Sequence, residues 1–478
     1  MLRGPAQGST LDARITLPLT AWISCLPQVF MNSAKRRPAY TVAELFCGCG
    51  GFSHGFSRTG RFRAIFGNDV KAFALKTFEL NHANADVPPI ALKGDIREVS
   101  DGALIKLLAT RGFSGVDVLL GGPPCQGFSQ MRRGEERRGS KIVRFGGYNK
   151  LDHDPRNDLV LRFLEVAAAL NPKVIVIENV PQFLSHYHDG KKGGVAQQVE
   201  EVLGELGYTI TCGVLNAADF GVPQLRQRAV VMASRTGRIL LPIQTHGDPE
   251  LLSTRKPWVT VREAIADLPL DPPLHESLGG GCNGFVSEPV SPFSALMRTG
   301  KRFPYNHLTR RYERRIVDLI KQMRPGETWD DASERMRGRF DAAIAKAVSK
   351  GESHMRITQR MKKDDTLFSV AYKRYYWSAY TRLAWDRPAL TITANANFLG
   401  SGRFTHPDRD RGITMREAAR LQSFDDAFTF YTSEDDKHLT SKIGIGMDMI
   451  GEAVPPLLGS AIANTVAAHL DEQRGRAS

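Results

Sequence analysis

The chain has 478 residues, with 64 Lys and Arg against 51 Asp and Glu, giving a formal charge of +13. That length implies about two or three domains with ample material for a core, and the basic surplus points to a polyanionic partner, nucleic acid first. No run of 18 apolar residues occurs, so no membrane span is expected, and six scattered cysteines (Cys25, Cys47, Cys49, Cys125, Cys212 and Cys282) form no disulfide framework, as in a reduced, cytoplasmic compartment.

Residues 1–38 are expected to be a disordered tail. Within it "LPLTAWISCLPQVF" is broken by Pro18 and Pro27 and lacks the flanks of a signal peptide, and Met31 is a candidate start. From residue 40 the pattern alternates. Strands are expected at 40–46 and 63–69, with helices at 51–60 and 70–82 between and after them. A helix at 102–112, a strand at 116–122, a helix at 157–171, a strand at 173–179 and a helix at 195–207 follow, before strands at 208–216 and 227–235. Strands alternating with helices of this length mean βαβ units and a mostly parallel sheet: an α/β, Rossmann-like fold. After about residue 236 the alternation fails. Between 236 and 390 there are 26 Lys and Arg against 18 Asp and Glu, so most of the positive charge lies there, as in a domain facing a phosphate backbone. The segment "VPPLLGSAIANTVAAHL" (454–470) returns to helical periodicity and is expected to pack on the first domain.

The chemistry-bearing residues stand at strand ends. "ELFCGCGGFSHGF" (44–56) is a strand, a glycine-rich turn and a helix start, where backbone can approach a ligand closely. Asp69 closes the second strand and Asp95 follows at the place expected for the third. Each acid alone could be a helix cap, but three strand ends in register suggest a nucleoside cofactor. Cys47 and Cys49 have no accompanying cluster at metal spacing, so no metal is expected. Cys125, in "GGPPCQGFSQ", lies just past a buried strand, its backbone stiffened by Pro123 and Pro124. Glu178 ends an apolar strand, a costly place for a carboxylate without work or partner. In "QLRQR" (224–228) Arg226 and Arg228 alternate with Gln224 on one face. A thiol, an acid and two guanidinium groups can thus converge beside the cofactor cleft.

These blocks resemble the DNA (cytosine-5) methyltransferase family of bacterial type. The likeness covers roughly residues 40–235 and 386–470, through "FCGCGG", "GDI", "GGPPCQGFS", "DPRND", "IENV", "QLRQR", "RPALTIT", "REAARLQSF" and "AVPPLLGSAIA" in order. The resemblance implies S-adenosyl-L-methionine as cofactor. Phe46, Gly48, Gly50 and Gly51 would line its pocket, Asp69 would hold the ribose and Asp95 the adenine amine, and Ile96 and Leu159 would give apolar contact. It implies Cys125 as nucleophile, Glu178 at the base's N3, Arg228 at its O2, and Arg226 bracing the Cys125 loop. The thiolate adding to C6 makes C5 nucleophilic, and the base must be flipped out of double-stranded DNA. The glycine-rich, basic segment 126–154 is expected to close over it.

The expected organisation is a catalytic domain, 39–235, completed by 440–478, with a target-recognition domain and its support at 236–439. The protein is expected to be monomeric, without membrane or metal, and accompanied or not by a cognate restriction endonuclease. A transfer-RNA cytosine-5 methyltransferase and a catalytically silent DNA-binding relative are the alternatives. One departure from the family stands out: Glu452 occupies a position where the family often has Asn, near the methionine end of the donor. It either faces that ligand or points to solvent at a helix start.

Overall fold

The apolar runs at the expected positions assemble into one seven-stranded sheet. The computed structural model describes residues 40–478 except 84–87, 125–133, 139–140, 146–157, 186, 189–190, 193, 252–253, 275–284, 286, 300–303, 305, 364, 432–438 and 478. The tail expected at 1–38, Cys125 and much of the 126–154 segment lie outside the described residues. The strands are β1 (Tyr40–Leu45), β2 (Phe62–Asp69), β3 (Ile90–Lys93), β4 (Val118–Gly121), β5 (Val174–Asn179), β6 (Thr209–Asn216) and β7 (Gln227–Ser234), in the spatial order β6-β7-β5-β4-β1-β2-β3. All neighbours run parallel except β7, which is antiparallel to both β5 and β6.

Strand order reverses between β1 and β4, where Leu45 pairs with Gly121. The loops leaving these two strands therefore start side by side, at the kind of crevice where open α/β sheets bind ligands. Helices α1 (Gly51–Arg58), α2 (Ala72–His82), α3 (Asp101–Ala109), α4 (Asp158–Leu170) and α5 (Gly194–Glu205) form the crossovers. One face of the sheet buries Ile65 and Ile175 with Leu104, Phe163 and Val199. The other buries Val42, Val118, Val176 and Val230 with Phe52 and Phe56 of α1, and with Ile462, Val466 and Leu470 of a C-terminal helix.

Beyond β7 lie α6 (Val261–Ile265), α7 (Pro292–Met297), α8 (Arg314–Ile320), α9 (Trp329–Val348), α10 (His354–Lys363) and α11 (Asp365–Tyr372). The chain then returns through α12 (Met415–Leu421), α13 (Leu439–Glu452) and α14 (Pro456–Ala477). The 20 residues of α9 were not expected as a helix. They begin at a capping box between Thr328 and Asp331, and bury Trp329, Ala332, Met336, Phe340 and Ile344 at spacings of three and four. Helix α14 lies on α1 as its periodicity implied. A Cβ at Gly55 would come within 2.4 Å of Pro456 O and 2.9 Å of Gly459 Cα, so the two helices meet backbone to backbone. Ser460 Oγ donates to Gly55 O at 2.8 Å across this contact.

A buried ionic knot joins α12 to the region after β7. Arg420, wholly buried, donates to Asp267 Oδ1 at 2.9 Å, to both carboxylate oxygens of Asp426 at 2.8 and 2.7 Å, and to Ala264 O at 3.0 Å. Arg298 donates to Asp267 Oδ2 at 2.8 Å, sharing that carboxylate. Removing one member leaves buried charges unpaired. Arg420→Ala is therefore expected to destabilise the protein by about 3–5 kcal/mol, read as a fall in the urea midpoint. A change below about 1 kcal/mol would mean that water reaches the two aspartates.

Candidate active site

The turn after β1 is built from residues held at positive φ: Phe46 at 56°, Gly48 at 53° and Gly50 at 83°. Gly50 N–H donates to Cys47 O at 2.8 Å and Cys47 N–H to Asn68 O at 3.0 Å, fixing the turn against the end of β2. The glycines serve different ends. A Cβ at Gly48 would meet nothing within 4 Å, so this position faces open space. At Gly50 it would lie 2.7 Å from the His82 ring and at Gly51 2.6 Å from Val454 O, so these two are needed for packing. Cys47 and Cys49 are buried, and burial pushes both thiols up, which makes them inert.

Asp69 ends β2 with its carboxylate organised by backbone: Oδ2 accepts from Gly48 N–H and Oδ1 from Lys71 N–H, both at 2.8 Å. Asp95 is a cap as well as a site candidate. Its Oδ1 accepts from Arg97 N–H at 3.0 Å, and the Arg97 guanidinium, 2.6 Å from Oδ2, holds the carboxyl below its usual range. Ile96 is buried, and Phe46 and Leu159 pack half-buried against it, so Ile96 and Leu159, expected to give apolar contact, belong with Phe46 to one apolar cluster.

Glu178, at the end of β5, and Arg228, in β7, face each other, with Arg228 Nε 2.7 Å from Glu178 Oε1. A Cβ at Gly122 would stand 3.3 Å from Glu178 Oε2, so this carboxylate lies over the start of the segment carrying Cys125. Asn179 Nδ2 donates to Pro123 O at 3.1 Å and pins the same segment two residues before the thiol. Arg226 is held by segments that return from far along the chain. Only 1 % exposed, it donates from Nη1 to Ile392 O at 2.8 Å and from Nη2 to Gly451 O and Ala453 O at 2.9 and 3.1 Å. Its described partners are thus returning chain segments, and the Cys125 loop expected beside it lies outside the described residues. Burial, with Arg228 nearby, pulls its pKa well down.

Three residues were missed. Asn179 and Lys71 gave no sequence signal. Glu44 carried the same signal as Glu178, an acid at the end of an apolar strand. It is 4 % exposed and accepts from Ser53 N–H in α1 at 3.1 Å. Burial first, then the charges of Asp69 and Glu178, push its carboxyl up to about 8. Glu452 corrects the expectation of a helix start: it is the last residue of α13. An acid at a helix C-terminus is unfavourable, and Lys71 Nζ offsets it by bonding both carboxylate oxygens at 2.7 and 2.5 Å.

Among the described residues no group of three or more His, Cys, Asp or Glu could hold a metal, and no helix is long and apolar enough to cross a membrane. The family model for C-5 cytosine-specific DNA methylase matches residues 40–468. The chain is 30% identical over 437 residues to the type II methyltransferase M.DdeI of Desulfomicrobium norvegicum, covering 89% of this chain and 88% of that protein. It is 30% identical over 465 residues to M.AgeI of Thalassovita gelatinovora, covering 88% and 98%. A solved putative DNA modification methyltransferase encoded within an E. coli prophage superposes with a TM-score of 0.62 over 90% of this chain and 99% of that one, at 18% identity, and so shares the fold.

The raised Glu44 carboxyl has a signed consequence. An acid with a higher pKa folded than unfolded keeps its proton in the fold, so stability is lost as pH rises from near 4.5 toward about 8. Glu44→Gln keeps an acceptor for Ser53 N–H without that penalty. In urea titrations the variant should exceed the parent by roughly 2–4 kcal/mol at pH 8 and nearly match it at pH 5. A pH-independent difference would show that Glu44 ionises normally.

Proposed function

The chain belongs to the C-5 cytosine-specific DNA methylase family and is a DNA (cytosine-5-)-methyltransferase, and from that premise we propose that it modifies a flipped-out cytosine in a specific duplex sequence through a covalent adduct between Cys125 and C6. The observation that carries this reading is the Glu178–Arg228 pair set over Gly122, with Asn179 holding the Pro123 carbonyl. It gives a carboxyl and a guanidinium in mutual register beside the backbone that delivers the thiol.

S-adenosyl-L-methionine fits the crevice on this chain's own features: open space at Gly48, a carboxylate at Asp69 oriented by two backbone N–H groups, and the apolar surface of Phe46, Ile96 and Leu159. When bound, it supplies an electrophilic methyl group on a sulfonium. Asp69 would hold the ribose hydroxyls and Asp95 the adenine amine. Cys125, as thiolate, adds to C6 and makes C5 an enamine carbon. Glu178 meets the ring at N3 and lowers the cost of charge on the ring during addition. Arg228 orients Glu178 and bonds the base's O2. Loss of the C5 proton then expels Cys125. Arg226 acts further out, holding the 392 and 451–453 segments against β7. Residues 236–439 would read the target, and 39–235 with 440–478 would carry the chemistry.

Tritiated methyl transfer to duplex DNA, with transfer RNA in parallel, tests the reading. Wild-type protein should label duplex cytosine. Cys125→Ser should abolish labelling, because a neutral hydroxyl adds poorly to C6, while still binding duplex. Transfer confined to transfer RNA, or near-normal turnover of Cys125→Ser, would overturn it. Glu178→Gln should lower kcat about 10²–10⁴-fold with duplex affinity kept. Glu452→Asn should remain active with donor affinity changed by no more than about tenfold, since the side chain it removes is paired with Lys71 at an exposed edge.

A further inference from the structure

The segment Lys373–Trp377, between α11 and the return to the site, has an unusual surface. Its backbone is held at both ends by the buried Trp329, whose Nε1 donates to Lys373 O at 3.0 Å and whose backbone N–H donates to Trp377 O at 2.6 Å. Tyr375 turns inward onto Trp329, with ring centroids 4.7 Å apart. The alternation of the chain after α11 then sends Arg374 and Tyr376 outward, and the turn adds Trp377. Tyr376 is 54% and Trp377 41% exposed, with their rings 5.6 Å apart. A backbone this well anchored could have buried its aromatic side chains; instead it displays them.

The surroundings are cationic. The Arg403 guanidinium lies 5.7 Å from the Trp377 ring centre. An adjoining groove of about 450 Å³ is lined by Arg337, Lys373 and Arg374, against one acid, Asp330. Arg337 is fixed in place by Ala371 O at 2.8 Å and Ser333 Oγ at 3.0 Å. Rigid exposed rings flanked by guanidinium and ammonium groups suit a partner that offers apolar sugar edges beside phosphates. The ridge is also tied to the site by short covalent and hydrogen-bonded links. Tyr380 N–H donates to Leu399 O at 2.7 Å, and Ile392 N–H donates to Gln224 Oε1 at 2.8 Å, two residues before Arg226.

We propose that Tyr376 and Trp377 form an aromatic ridge that packs on the backbone of duplex DNA, with Arg374 on the neighbouring phosphate. The proposal rests on the reading that DNA is the substrate and adds the residues that hold it. An aromatic pair contributes contact with sugars at small ordering cost, and the anchoring by Trp329 removes the backbone part of that cost in advance.

The test uses the full chain, a fluorescein-labelled duplex carrying the mapped methylation site (or a random-sequence duplex if none maps), and anisotropy with methyl-transfer kinetics in parallel. Tyr376→Ala/Trp377→Ala should weaken duplex binding by at least about tenfold and raise KM for DNA, with donor affinity and the unfolding midpoint unchanged. Tyr376→Phe/Trp377→Phe should bind nearly as the parent does. Arg374→Gln should reduce the salt dependence of binding by about one phosphate contact. Duplex affinity within twofold of wild type in the double alanine variant overturns the ridge. Loss of duplex binding in that variant, beside a wild type that transfers no methyl group to DNA, upholds the ridge and sinks the catalytic reading instead.

Discussion

The site depends on one buried cation. Arg226 has no carboxylate among its described hydrogen-bond partners; it is solvated by the carbonyls of Ile392, Gly451 and Ala453. The latter two lie at the end of α13, the negative pole of a helix whose last carbonyls lack partners within the helix. One side chain thus donates to three backbone carbonyls and draws together segments 166 to 227 residues away in sequence. Gln224, two residues earlier, extends the seam through Leu421 O at 3.1 Å and Ile392 N–H at 2.8 Å, and Gln422 closes it on Ile450 O and Ala453 O at 2.9 and 2.8 Å. The strand that carries Arg228 is placed by this seam. The geometry of the Arg228–Glu178 pair is therefore a consequence of contacts made with the far end of the chain.

Electrostatics divides the crevice into two halves. Around β1 and β2 the groups are acidic: Glu44, Asp69 and, at the rim, Glu452 with Asp448, whose carboxyl burial and Glu452 push up. Around β5 and β7 the guanidinium groups of Arg226 and Arg228 dominate. Under the proposed reading, a cationic donor and a base carrying a negative phosphodiester have opposite needs, and the two halves would meet them separately. The Lys71–Glu452 pair, about half exposed, contributes little to stability. Its effect is to cap the acidic half with a neutral rim.

The sheet was legible because its strands are buried on both faces. "VDVLLGG" and "KVIVIEN" are continuous apolar runs, and only a parallel strand covered by helices on both sides can use them. The site acids were legible for the same reason, since a carboxylate at the end of such a run needs a cause. What escaped was what distance in sequence conceals. The described partners of Arg226 are backbone carbonyls that carry no residue signature. Glu452 reads as a helix start because Pro455 and Pro456 follow it, and it is the end of the preceding helix. The helix from Trp329 to Val348 was readable: its capping box and its apolar residues at spacings of three and four are present, but four charged residues in its first two turns masked them.

The contact of Gly459 with Gly55 carries a consequence for synthesis. The face of the sheet formed by Val42, Val118, Val176 and Val230 is covered by Ile462, Val466 and Leu470. Residues 40–235 leave the ribosome long before that cover exists, and at ordinary elongation rates the interval is of the order of ten seconds or more. During it the nascent chain presents an apolar sheet face that only a chaperone or a wrong partner can occupy. The Arg226 seam is equally incomplete until Ala453 has emerged. The crevice is therefore shaped abruptly, once the chain has passed Leu470, and a nascent product that stops short of that helix cannot shape it.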